Sequence, residues 1–166
     1  MKVFGVTGLK NAGKTGLMER LVTEISHRGY AVSTIKRTHH NVDLDVPGTD
    51  SVRHRAAGAQ EVMLASDQRF ALMREHQNPT PPRLADLIAR LAPVDLVLVE
   101  GFKSETHPKI ECFRASTQHR LLSPENSSIV AVAADAAVVS DLPQFDLNDT
   151  QAIATFVIAH CKLKDC

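Results

Sequence analysis

Short apolar runs alternate along this chain with longer stretches whose apolar positions recur every three or four residues. The runs cover Val3–Thr7, Ala31–Lys36, Glu61–Ala65, Phe70–Met73, Leu96–Glu100, Lys109–Phe113 and Ile129–Ala134. They read as strands. Helical spacing covers Lys14–Arg28, Ser51–Ala57, Arg83–Leu91 and Asp149–Lys162. In the first helix Leu17, Leu21 and Ile25 share one face, and the last opens on Asn148-Asp149-Thr150, a plausible N-cap. Leu96-Val97-Leu98-Val99 and Ile129-Val130-Ala131-Val132 are apolar without interruption, as strands buried on both faces of a parallel sheet are. Lys109-Ile110-Glu111-Cys112 alternates instead, which predicts an edge or half-exposed strand. The succession predicts a three-layer α/β/α fold with a mostly parallel sheet and additional edge strands. Gln77–Pro82 is rich in proline but too short to separate domains, so residues 1–166 read as a single domain.

The connection between the first strand and the first helix carries the chemistry. Gly8-Leu9-Lys10-Asn11-Ala12-Gly13-Lys14-Thr15 fits G-x-x-x-x-G-K-[ST], and Gly16 continues it into the helix. Backbone N–H groups of such a loop and of the helical turn after it converge on one anion. Lys14 is expected to reach the β- and γ-phosphates and the Thr15 hydroxyl to ligate Mg²⁺. The fold class is therefore that of a P-loop NTPase. A glycine-rich turn that merely precedes Lys-Thr would lack the strand before it and the helix after it.

Composition narrows the partners. The 166 residues carry 19 basic and 19 acidic side chains, so net charge is zero. That balance argues against nucleic acid and anionic membrane as partners. Cys112, Cys161 and Cys166 form no C-x-x-C pair and read as reduced thiols of a cytoplasmic protein. No apolar run reaches membrane-spanning length, and the first strand begins at once, leaving no room for a signal peptide.

Two further segments point to the same sheet edge. Leu96–Glu100 ends in a carboxylate, and ligands of open parallel sheets bind beyond the carboxyl ends of strands. Glu100 is expected to hold Mg²⁺ directly or through water, or to orient an attacking water. The alternative is a carboxylate capping the turn at Gly101. The second segment is the polar stretch from Lys36 to Ser51. Lys36 and Arg37 suit phosphate, and Asp43, Asp45 or Asp50 suits Mg²⁺. His39 and His40 with these carboxylates raise a transition-metal site as an alternative, without the spacing that supports one. A solvated polar loop is the third reading.

At these residues the chain resembles the molybdopterin-guanine dinucleotide biosynthesis adaptor family (MobB). The resemblance rests on GLKNAGKT, KRTHHNVDLDVPGTDS, GAQEVMLAS with RFALM, VDLVLVEGFKSETHPKIECFR, IVAVAAD and LNDTQAIATFV, in order along nearly the whole chain. It implies a GTP-binding P-loop protein of the signal-recognition/MinD-like class. It further implies weak Mg²⁺-dependent hydrolysis, a homodimer, and assistance to a separate guanylyltransferase (MobA) that joins GMP to molybdopterin. Thr38, His39, His40, Asp43, Asp45, Gly48, Asp50 and Ser51 match the family segment thought to flank nucleotide or cofactor. Glu100, Gly101, Phe102 and Lys103 match its acidic strand end. Gly16 departs from a common second Thr or Ser, and Thr49 from a common Lys after Pro-Gly.

Base choice is less legible. N-K-x-D is missing, and Asp135, closing the Ile129 run, is the candidate acceptor for a guanine base. A strand-end turn aspartate is the alternative. A small-molecule kinase also suits the fold, with Arg69, Arg74 and Arg83 as its basic lid. Dimerisation is expected through the half-exposed Lys109–Phe113 strand, where Phe113 projects opposite Ile110 and Cys112. The segment from His39 to Asp50 is expected to serve cofactor assembly, meeting molybdopterin or the partner, more than nucleotide capture.

Overall fold

The computed structural model describes residues 1–38, 45–75 and 81–164. They divide into two compact units, Met1–Arg37 with Arg83–Cys166, and Thr38–Pro82.

The larger unit is built on a six-stranded sheet in the order β2-β5-β1-β6-β7-β8. The strands are β1 (Lys2–Thr7), β2 (Val32–Lys36), β5 (Leu96–Glu100), β6 (Lys109–Phe113), β7 (Ile129–Ala134) and β8 (Gln144–Asp146). Every neighbouring pair in it is parallel. Helices α1 (Lys14–His27) and α4 (Thr150–Cys161) cover one face. There Phe4, Val6, Leu98, Ile110 and Ala131 meet Leu17, Leu21, Ile25, Ile153 and Val157. Each such Leu, Ile, Val or Phe side chain contributes about 1.5–3 kcal/mol by leaving water. The short helix α3 (Leu84–Ile88) covers the other face, where Leu84 and Phe102 pack with Val97 and Val99. Asp149 caps α4 as its sequence predicts, accepting from the Ala152 N–H at 3.0 Å.

The alternation in β6 misleads, because β6 lies between β1 and β7 in the sheet interior. Lys109 and Glu111 are 0% and 1% exposed. Each is buried because local oxygens or N–H groups satisfy it. The Lys109 ammonium donates to the Glu105 carbonyl at 2.6 Å, the His107 carbonyl at 2.9 Å and Ser128 Oγ at 2.6 Å. Glu111 accepts from the backbone N–H groups of Leu122 and Ser123 at 2.7 and 2.9 Å. A buried charge stripped of such partners would cost several kcal/mol. The strand is therefore no edge, and it does not offer the dimer surface its pattern suggested.

His107, on the loop leading into β6, is half-buried, and both ring nitrogens lack partners among the described residues. Burial, with the Lys109 charge beside it, pushes its pKa down to about 4. Between the ordinary value of 6.5 and about 4, the unfolded chain takes up a proton that the folded chain refuses. Folded stability from this group is therefore full above 6.5 and declines as pH falls through that window. The melting temperature of the His107→Gln variant should drop less between pH 7 and pH 4.5 than that of the parent. Equal drops would remove His107 from the acid response.

The smaller unit holds α2 (Asp50–Ala56) and an antiparallel hairpin of β3 (Glu61–Ala65) and β4 (Phe70–Arg74). Arg55 donates to Asp45 Oδ2 at 3.0 Å and to Glu75 Oε1 at 2.8 Å, and Ser51 donates to Asp45 Oδ1 at 3.0 Å. The hairpin carries Met63, Leu64, Phe70 and Leu72 exposed.

Candidate functional site

The turn from β1 into α1 forms because two glycines adopt backbone conformations that L side chains avoid. Gly8 has φ +142° and Gly13 φ +93°. A Cβ on Gly8 would lie 2.5 Å from the Cys112 carbonyl oxygen. Asn11, at φ 64°, takes the left-handed region that Asn tolerates. Between them Ala12 is buried in the core and fixes the loop from below, while Lys10 stays exposed. The first helical turn follows directly, with Thr15 exposed and Gly16 in its third position.

The Lys14 ammonium folds back over the loop and donates to the Leu9 carbonyl at 2.7 Å. Desolvation lowers its pKa, the Glu100 carboxylate opposes that, and the Lys103 and Lys36 charges lower it further. Charged side chains of α1, β2, β5 and the turn after β5 thus meet at the carboxyl edge of β1, β2 and β5. Glu100, at the end of β5, accepts from Thr15 Oγ1 at 3.3 Å and pairs with Lys36 at 3.5 Å. Its carboxylate is 11% exposed where Lys36 is 59% exposed, so the lysine remains free to exchange partners. Arg37 lies with its guanidinium 5.2 Å from the centroid of Phe102.

A hydroxyl and a carboxylate already in hydrogen-bonding contact are the hard oxygen donors that Mg²⁺ takes. The glycine path leaves the concavity that a phosphate fills. Thr15, Glu100 and the loop therefore fit Mg²⁺ and a nucleoside triphosphate.

The other expected residues are placed as follows. His39, His40 and Asp43 lie outside the described residues. Asp50 opens α2 in the smaller unit and pairs with Arg53 at 3.5 Å. Asp45 is taken up by Arg55 and Ser51. Asp135 accepts from the Ala115 N–H at 2.8 Å through Oδ1, tying together the segments after β6 and β7. Of the three arginines suited to a lid, Arg74 pairs with Glu61 and Arg83 with Asp86. Among the described residues no group of three or more metal-ligating side chains occurs. No described helix is long and apolar enough to cross a membrane. Cys112 and Cys161 are free and buried, with burial raising their pKa to about 12 and about 11.

Arg114 escapes sequence reasoning. It follows β6 directly, and its Nε would lie 3.1 Å from a Cβ on Gly13. The guanidinium thus rests against the glycine loop at position 13, where a side chain would crowd it. An arginine at a strand end beside the first strand is the one signal the sequence offers.

A parallel sheet whose first strand turns through a glycine loop into a helix is the arrangement found in nucleotide-binding α/β proteins. The family model described as molybdopterin guanine dinucleotide synthesis protein B matches residues 3–135, and the chain belongs to that family. It is similar to the molybdopterin-guanine dinucleotide biosynthesis adapter protein of Escherichia coli, 40% identical over 152 residues, which cover 88% of this chain and 85% of that one. The Haemophilus influenzae protein of the same description is 40% identical over 157 residues, covering 93% and 86%. Among solved structures, a MobB homologue from Bacillus stearothermophilus superposes with a TM-score of 0.70 at 29% identity, covering 99% of this chain and all of that one. Bacillus subtilis MobB, at 22% identity, shares the fold with a TM-score of 0.76 over 99% of this chain and all of that one.

Proposed function

We propose that this chain is a GTP-binding accessory protein of molybdenum cofactor biosynthesis, with slow Mg²⁺-dependent GTP hydrolysis, that assists the guanylyltransferase forming molybdopterin guanine dinucleotide. The single observation that carries the nucleotide half is the Lys14–Thr15–Glu100–Lys36 cluster over the glycine loop. The pathway half is supported by the family and by the relatives' descriptions.

In this reading the loop N–H groups and Lys14 bind the β- and γ-phosphates, exchanging the Leu9 carbonyl for phosphate oxygens. Thr15 and Glu100 would hold Mg²⁺, which supplies charge neutralisation across the phosphates when bound. Lys36 and Lys103 add positive charge at the same edge. Titration calorimetry with GTP and ATP, with and without Mg²⁺, tests base and metal together. Phosphate release measured beside reconstituted dinucleotide synthesis tests the accessory role.

The Glu100→Gln variant should bind GTP within a few-fold of the parent yet hydrolyse it at least about tenfold more slowly, about 1.4 kcal/mol in the barrier. Equal single-turnover rates would make Glu100 a structural residue only.

The reading includes a homodimer in the cytoplasm. Its support is the hairpin of the smaller unit, whose Met63, Leu64, Phe70 and Leu72 form exposed apolar surface that a second copy would cover. Sedimentation at micromolar concentration should give twice the 18.1 kDa chain mass, and a single 18.1 kDa species would rule the dimer out.

A further inference from the structure

A hollow of about 580 Å³ opens between the segments that leave β6 and β7, within the larger unit. Phe113, Leu121 and Val138 give it apolar walls, and His119, Arg120 and Glu125 give it polar ones. It lies beyond the carboxyl ends of two adjacent parallel strands, where open sheets of this kind bind ligands. Its volume is in the range of small-molecule sites.

We propose that this hollow takes the planar 2-amino-4-oxopyrimidine ring shared by guanine and pterin. The inference rests on the reading of the chain as a guanine-nucleotide accessory protein and names a subsite that reading leaves unassigned.

Three features fit that ring. Phe113 and His119 offer flat faces for stacking. Glu125 offers two carboxylate oxygens, which match the adjacent ring N–H and 2-amino donors of guanine and pterin. The adenine edge sets an acceptor beside its amino group and cannot satisfy both. Arg120 pairs with Glu125, so the carboxylate is charge-compensated before a ligand arrives. The imidazole of His119 has a buried Nδ1 without a partner among the described residues, so turning it toward a ligand breaks no hydrogen bond there.

The surrounding architecture holds these groups in place. The buried Glu111 carboxylate grips the N–H groups of Leu122 and Ser123, at the start of the one-turn 3-10 helix Ser123–Glu125. That gives the buried charge in β6 a purpose, since it fixes the turn that presents Glu125. The Asp135 bond to the Ala115 N–H fixes the opposite segment. The glycine loop lies across this segment from the hollow. Arg114 has extended backbone, with φ −130° and ψ 126°, so its side chain departs on the opposite side from Phe113 and Ala115. Those two residues line the hollow, while Arg114 rests on Gly13.

The test titrates the parent chain and the Ala137→Trp, Glu125→Gln and Lys14→Ala variants by calorimetry. The probes are guanosine, inosine, adenosine, pterin and GTP, with folding checked by circular dichroism. Ala137 is an exposed wall residue, so tryptophan there fills the hollow from outside the core. Guanosine, pterin or both should bind the parent at least tenfold more tightly than adenosine, with inosine, which lacks the 2-amino group, weaker than guanosine. Ala137→Trp and Glu125→Gln should each weaken the preferred ring at least tenfold, and Lys14→Ala should not. GTP affinity falling together with guanosine affinity in Ala137→Trp assigns the hollow to the nucleotide base. GTP affinity held while pterin binding is lost assigns it to the pterin. Failure of both rings to bind, binding no tighter than adenosine, or indifference to both folded variants overturns the proposal. GTP binding undiminished in Lys14→Ala would instead overturn the phosphate-loop reading, whatever the hollow does.

Discussion

Replacing Lys14 with alanine is expected to lower GTP affinity at least about a hundredfold, a loss of about 2.7 kcal/mol, while leaving the fold in place. The ammonium donates to the Leu9 carbonyl of its own loop. Burial already lowers its pKa, so the lysine is held in a partly dry position that favours a nearby anion over water. A phosphate there would gain a charge-assisted contact in exchange for a neutral one. The fold gains little from the lysine, because the core beneath the loop is made by Ala12, Leu17 and Met18. The melting temperature of Lys14→Ala should therefore stay within about 2 °C of the parent, under about 1 kcal/mol for a chain this long. GTP binding at parental affinity would end the phosphate-loop assignment.

Gly8→Ala should act in the opposite way, removing stability and binding together. At φ +142° any side chain is strained. The added Cβ would meet the Cys112 carbonyl oxygen at 2.5 Å. That oxygen belongs to β6, a strand locked between β1 and β7, so it cannot yield cheaply. Backbone strain and overpacking each cost about 1–3 kcal/mol. Taken together, a loss of about 3 kcal/mol is expected, read as a fall in melting temperature of roughly 6–12 °C. Thermal unfolding unchanged from the parent would mean that the loop is not held against β6.

The two substitutions show which parts of the molecule the sequence makes legible. The glycine loop, β1, β5, β7 and the α1 face declare themselves because apolar periodicity and fixed motif spacing are local properties. Strand β6 misleads because Lys109 and Glu111 look like solvent-facing residues. Their partners, at Ser128 and at Leu122 and Ser123, come later in the chain and carry no periodic signal. Strand β8 passes unnoticed since Gln144-Phe145-Asp146 is short and mostly polar. The Glu61 and Phe70 runs are strands as their pattern predicts, but whether they join the main sheet depends on pairing, and they pair only with each other. At the site, Lys14, Thr15, Glu100 and Lys36 are found together as their strand-end positions imply. Arg114 is not foreseeable, since its contact with Gly13 joins segments far apart in the chain and carries no periodic signal.

The sheet order also sets a schedule for synthesis. Val3 pairs with Val97, and Val6 with Ile110, so the strand that carries the glycine loop gains both neighbours only after much of the chain has been made. At ordinary ribosomal rates of about 5–20 residues per second, the first strand waits roughly 5–20 s for them. Helix α1 can coil early, but the carbonyl of Cys112 that closes on Gly8 is among the later groups to emerge. A nascent chain therefore cannot hold the glycine loop against its strand until β6 is in place. Any ligand of that loop would then be captured only by chains whose first strand has both its neighbours.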